Sequence, residues 1–175
     1  MFTRKPLLAG ALLAGFATAA LAQQGPNLGQ PITEADVGEW NINAMPDGTG
    51  LPPGSGTPAQ GAPIYAQKCA LCHGEGGKGG RSAALVGKPP ITGIDSPKTI
   101  ANFWGYATTL FDFTRRSMPW VTPRTLTNDE VYAITAYILA ENKLIGPNDE
   151  MNAQTLPKVK MPNADNFIIR FPDKI

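Results

Sequence analysis

The chain's only two cysteines and its only histidine fall within five consecutive residues, Cys69-Ala70-Leu71-Cys72-His73. This C-x-x-C-H spacing is the attachment signature of a c-type haem. Two thiols three residues apart, near the end of a helix, can each reach one haem vinyl group and form a thioether. The next residue, His73, then faces the iron with an imidazole nitrogen. Attachment at two points fixes the macrocycle in a domain too small to hold it by packing alone. The rival chemistries fit less well. Zinc takes four ligands, commonly two C-x-x-C pairs or added histidines, and the chain has no third cysteine and no second histidine. A thioredoxin-like redox pair wants a βαβ context, and none is visible. An exported chain could still oxidise Cys69 and Cys72 to a disulfide.

With no second histidine, the distal ligand must come from another residue type. Met118 lies 45 residues after His73, in Arg116-Ser117-Met118-Pro119-Trp120. It follows a helical stretch and precedes a proline, so it sits on a stiffened loop able to lie across the haem from His73. A thioether is soft and favours ferrous iron, which raises the reduction potential. Met118 read as an ordinary core residue is the bland alternative. Met45-Pro46 and Met161-Pro162 are further Met-Pro pairs, but both lie in the tails. An open sixth position is the remaining option.

The flanking sequence is organised around this centre. Arg4 and Lys5 precede an uncharged apolar run, Leu7 to Ala22, which ends in small residues before Gln23. That order reads as a secretory signal, residues 1–22, and sixteen residues are short for a span. The expected product is an exported, periplasmic chain of 153 residues that does not span the membrane. Residues 23–60 read as an extended arm. Ten of the eighteen positions from Pro46 to Pro63 are Gly or Pro, and such a segment does not fold alone. Trp40, Ile42, Met45 and Leu51 are spread through it, so it is expected to pack either on its own domain or, as a strap, on another protein. Residues 144–175 form a second Pro-punctuated arm ending in the apolar run Phe167-Ile168-Ile169-Arg170-Phe171.

The helical signals lie in residues 61–143. One helix is expected from near Pro63 to Cys72, with proline in its first turn, followed by a glycine-rich loop, Gly74 to Gly80. Ser96-Pro97 reads as a helix start, leading to Arg116 with a break near Gly105. Thr127-Asn128-Asp129-Glu130 is a capping box opening a helix to about Asn142, stopped by Gly146-Pro147. Val131, Ile134 and Ile138 form one apolar stripe of that helix and Tyr132, Ala136 and Leu139 another, so it is sandwiched.

Gly61-x-x-x-Tyr65-x-x-x-Cys69-x-x-Cys72-His73, then Met118-Pro119, then a helix with Ala136-Tyr137, resembles class I cytochrome c over residues 61–143. The resemblance implies an all-α fold, a few short helices around one covalent haem c. It implies that the first and last helices cross near Gly61, with Tyr65 and Tyr137 packed there. It also implies a backbone carbonyl that accepts the hydrogen bond of the ligand imidazole. Ala83-Ala84-Leu85 and Pro89-Pro90-Ile91 are the candidates for that carbonyl. Trp104, Tyr106, Arg115 and Arg116 are read either as haem-pocket walls and propionate partners or as core aromatics and a solvated helix face.

A narrower similarity rests on Pro46-Asp47-Gly48-Thr49-Gly50-Leu51-Pro52-Pro53-Gly54-Ser55-Gly56, Trp104-Gly105-Tyr106-Ala107-Thr108-Thr109-Leu110, the segment Leu126 to Ala133, and Leu156-Pro157-x-Val159-x-Met161-Pro162-Asn163. These look like the cytochrome subunits of the Sox sulfane dehydrogenase and of sulfite-oxidising molybdenum enzymes. The similarity implies a one-electron transfer subunit with cofactor-binding residues Cys69, Cys72, His73 and Met118 and no catalytic residues of its own. Its implied partners are a molybdopterin dehydrogenase subunit and a downstream acceptor such as another cytochrome c. A near-neutral net charge leaves no footprint for nucleic acid. A free diffusible carrier and a haem sensor with an open sixth site are the alternatives.

Overall fold

The structure is a computed structural model and describes residues 28–38 and 40–167. The expected signal segment 1–22 and the apolar run beyond Phe167 lie outside the described residues. Residues before Asn41 form a unit of their own. In it Thr33 and Asp36 cap a short helix α1, Glu34–Gly38.

From Asn41 onward the elements are β1 (Ser55–Gly56), α2 (Pro58–Lys68), α3 (Ala70–His73), α4 (Ile100–Phe103), α5 (Ala107–Ser117), α6 (Asn128–Glu141) and β2 (Met151–Asn152). The longest, α6, starts where its sequence signal lies. The Thr127 hydroxyl accepts the Glu130 N–H at 3.2 Å, and the Glu130 carboxylate accepts the Thr127 N–H at 2.8 Å. Both apolar stripes are used: Val131, Tyr132, Ile134, Ala136, Ile138 and Leu139 are all buried. The helix closes at Asn142, followed by Lys143 at φ 59°, so it stops before Gly146-Pro147.

Two other helix starts differ from expectation. α2 begins at Pro58 rather than Pro63, because Thr57 and Gln60 form a capping box with Pro58 at the first position. Pro63 therefore sits inside the helix. Its missing N–H leaves only the Ala59 carbonyl without its usual partner. α4 begins after Thr99 rather than Ser96. Thr99 and Asn102 cap each other, and Asn102 also donates to Pro89 O and Pro97 O at 2.8 and 2.9 Å. The Ser96 hydroxyl instead accepts from the Thr92 and Gly93 amides. The expected break near Gly105 is present between α4 and α5.

α2 and α6 cross at Gly61. A Cβ built there would lie 1.9 Å from Ala133 O and 2.8 Å from the Tyr137 Cβ. Only a residue without a side chain permits that approach. One turn on, the Tyr65 and Tyr137 rings pack at 4.9 Å between centroids. Phe111 of α5 meets Tyr132 of α6 at 4.4 Å, which brings α5 onto the same helix.

Within this unit both arm segments lie on their own helices. β1 and β2 pair antiparallel, with Gly56 opposite Met151. The Tyr132 hydroxyl donates to Pro52 O at 2.9 Å, and Asp129 accepts the Ser55 N–H at 2.9 Å. Met151, Leu156 and Met161 bury their side chains in the core. Of the two placements open for residues 41–60, this is packing on the chain's own domain. No described helix is long and apolar enough to cross a membrane.

Two outcomes follow from the crossing. Gly61→Ala forces α2 and α6 apart and is expected to cost about 3 kcal/mol, a drop in Tm of roughly 6–12 °C. Gly93→Ala, with open space around the added Cβ, should leave Tm within about 1–2 °C. Thermal melts followed by circular dichroism separate the two. The second outcome concerns the Lys68–Glu130 ion pair at 2.7 Å, which joins the same helices. The Lys68 hydrogen bond, then the Thr127 amide, holds the Glu130 carboxyl below its ordinary range. A depressed carboxyl stabilises the fold above its unfolded-state pKa and loses that contribution as pH falls through the folded-state value. Glu130→Gln should therefore lower stability by roughly 0.5–1 kcal/mol at neutral pH. The deficit should shrink towards zero below about pH 4, as denaturant titrations at several pH values will show.

Candidate haem site

Cys69 is the joint of the site. It ends α2 and begins α3, with φ −124° and ψ −36°, which bends the chain between the two helices. Its amide still continues the ladder, donating to Tyr65 O at 2.9 Å. Cys69 and Ala70 pack against the core, whereas Leu71 is 83 % exposed. The run thus has an inner side and an outer side. Both cysteines are free thiols. Burial, partly offset by neighbouring Lys68, pushes the Cys69 thiol up to about 11.

His73 ends α3. Its Nδ1 lies 2.9 Å from Ala83 O. A carbonyl only accepts, so Nδ1 carries the proton and Nε2 keeps its lone pair free for a ligand. Of the two carbonyl candidates, the structure selects Ala83 over the Pro89-Pro90 segment. The loop that presents Ala83 is tied down on both sides. Ser82 N–H donates to Cys72 O at 2.8 Å, and the Leu85 and Val86 amides donate to Gly77 O at 2.9 and 3.1 Å. Asn142, just past α6, accepts from the Gly87 amide and donates to Leu85 O, both at 3.1 Å. The Arg81 guanidinium approaches the Cys72 sulfur at 3.3 Å. No sequence pattern marks Arg81 or Asn142 for these places, since each depends on how a loop closes.

Met118 caps α5. Its amide donates to Thr114 O at 3.1 Å, and Pro119 follows through a cis peptide. The side chain is half-buried. The other described methionines have different surroundings. Met151 and Met161 are in the core, and Met45 is 51 % exposed in a tight turn.

The four residues read as possible pocket or propionate partners divide. Trp104 meets Phe113 edge-on at 5.8 Å, and Tyr106 stands half-exposed at the start of α5. Arg116 is engaged by Asp112 and Asn43, and Arg115 reaches Ile42 O at 3.5 Å. Both arginines therefore bind the N-terminal arm.

The donor set fits a covalently held haem. Two free thiols lie either side of one helical turn. A histidine follows whose tautomer leaves Nε2 available.

Comparison with known proteins agrees with this chemistry. The family described as cytochrome C oxidase, cbb3-type, subunit III matches residues 56–138. The thiosulfate dehydrogenase of Stutzerimonas stutzeri (strain A1501) is 32% identical over 84 residues, 46% of this chain and 26% of that protein. The chain thus spans about a quarter of the length of that curated relative. The crystal structure of the sulfane dehydrogenase SoxCD from Paracoccus pantotrophus superimposes with a TM-score of 0.75 at 34% identity, covering 86% of this chain and 73% of that one. Over that span the helices, the C-x-x-C-H joint and the glycine crossing come together in one assignment: the chain belongs to the class I c-type cytochromes, electron-transfer proteins that hold haem c covalently, and it resembles those of sulfur oxidation.

Proposed function

We propose that this chain is the single-haem, one-electron transfer subunit of a periplasmic sulfur-compound dehydrogenase. The observation that carries the reading is the 34% identity to the SoxCD sulfane dehydrogenase across 86% of this chain, arms included. In this reading a molybdopterin subunit oxidises its sulfur substrate in two-electron steps, one such step for sulfite and successive ones for sulfane sulfur. The cytochrome accepts the electrons one at a time and passes them to an acceptor such as another cytochrome c.

Each site residue has a distinct part. Cys69 and Cys72 provide the two thioether attachments. His73 offers Nε2 to the iron while Ala83 O holds its Nδ1 proton and fixes the ring plane. Met118 would offer its thioether as the second protein ligand. What supports Met118 is its place at the end of α5, together with the burial of Met151 and Met161 in the core. When bound, the haem would supply a one-electron ferric/ferrous couple, and ligation by both His73 and Met118 would leave no position for substrate. A diffusible carrier is the second reading. It is favoured by residues 41–60 and 144–167 lying on their own domain, which removes them as ready-made straps for a partner.

Gentle purification from native periplasm distinguishes the two. Molybdenum co-eluting with the haem absorbance, and haem reduction on adding sulfite or a sulfane-sulfur substrate, are the expected results. A lone cytochrome inert to both substrates would leave the carrier. For the ligand set, Met118→Ala should give ferric high-spin character and a lower reduction potential. An unchanged spectrum and potential would assign the sixth position elsewhere.

A further inference from the structure

Met118 is held from its upstream side by the helix that it ends. Downstream, residues Trp120 to Thr125 are all exposed, and Pro119 has no N–H with which to continue the helix ladder. The position of Met118 depends on the last turn of α5, to which its own amide is bonded through Thr114 O. That turn is gripped by a distant part of the chain. The Ala44 amide donates to Asp112 Oδ1 at 2.9 Å. The Arg116 guanidinium donates to both Asp112 oxygens, at 3.2 and 2.9 Å, and to Asn43 Oδ1 at 2.9 Å. Arg115 adds a longer contact to Ile42 O. Three consecutive arm residues thus meet three side chains of α5, and Arg116 stands two residues before Met118.

The arm is shaped to make this grip. Residues 45–51 fold into a turn closed by the Met45 amide on Thr49 O at 2.8 Å. It returns so closely that a Cβ on Gly50, at φ 83°, would lie 2.0 Å from Asn43 O. Gly50 thereby fits the turn around Asn43, and Asn43 meets Arg116.

We propose that Asn43 and Asp112 are positioning residues for Met118, through which the N-terminal arm sets the hold of the thioether on the haem iron. The inference rests on the reading of Met118 as the axial ligand. Charge-assisted bonds of the Asp112–Arg116 kind are the stronger class. Loosening them lets the end of α5 fray, and the thioether then competes less well with an added ligand.

The test is a titration of the full-length ferric haem-loaded protein with imidazole, followed by absorbance. Asn43→Ala and Asp112→Asn should each bind imidazole roughly three- to tenfold more tightly than the parent. Each should also weaken the thioether-to-iron charge-transfer absorption. Asn43→Asp keeps an acceptor for Arg116 and should restore the parent value. Asn43 is exposed, so its replacement does not put folding at risk. Met118→Ala is the reference and should bind imidazole most tightly. If Met118→Ala matches the parent, the ligand reading itself fails. If Met118→Ala binds tightly while Asn43→Ala and Asp112→Asn match the parent, the clamp alone is overturned. A lowered Tm in those two variants with parent-like imidazole affinity likewise overturns it, because that is the mark of a merely structural contact.

Discussion

The crossing of α2 and α6 is the constraint on which the rest of this molecule depends. Ala133 O sits where a Cβ at residue 61 would be, so the two helices meet backbone to backbone. That closeness lets one pair of rings, Tyr65 and Tyr137, fill the angle between them. It also sets where Cys69 falls, since α2 ends two turns beyond the contact. A displacement of α2 at the crossing would move the C-x-x-C-H segment with it. The ion pair between Lys68 and Glu130 ties the last residue of α2 to the first turn of α6. The helix that leads into the attachment residues is therefore fixed near both ends against one partner.

The segments outside the helices complete the core. α6 is apolar on two sides, and α2 and α5 do not cover it all. Met151, Leu156 and Met161 from one arm and Ala44 and Leu51 from the other occupy the rest. Glycine and proline are abundant here because the arms must turn often while lying flat, and because few of their amides find a ladder. The two short strands, Ser55–Gly56 and Met151–Asn152, join the arms to each other. A chain of this size with a large prosthetic group gains from such wrapping, since its helices alone form a small core.

How far the sequence could be read depended on whether a feature was local. The C-x-x-C-H run carries its chemistry in five adjacent residues, and the capping box at Thr127 carries its helix start in four. Both are visible without a fold. The start of α2 had a local signal as well, Thr57-Pro58-x-Gln60, but the later Pro63 is an equally plausible first-turn proline. Ser96 and Thr99 were both acceptable caps. The choice between them was made by Asn102, whose amide reaches Pro89 O and Pro97 O, a tertiary contact with no trace in the pattern. Arg115 and Arg116 look like anion partners in sequence, and they are paired, but with an arm about 73 residues away. The imidazole acceptor was legible only in part. The sequence offers two candidate segments, and because a backbone carbonyl has the same chemistry in every residue, the loop that carries Ala83 decides between them.

The two sides of the site are consequently built in different ways. The histidine side is local: Cys69, His73, Gly77, Ala83 and Leu85 tie to one another across short loops. The methionine side, in the proposed ligation, is held by an arm that precedes α5 by some 68 residues. Local contacts re-form quickly and survive partial opening, whereas contacts between distant segments cost loop-closure entropy and are lost first. The asymmetry suits an electron-transfer centre. With His73 and Met118 as the ligands, both would be held still while the fold is intact, so the iron's surroundings would change little on gaining or losing an electron. A local opening would then release the thioether before the histidine, leaving a covalently attached group in place for the arm to close over again.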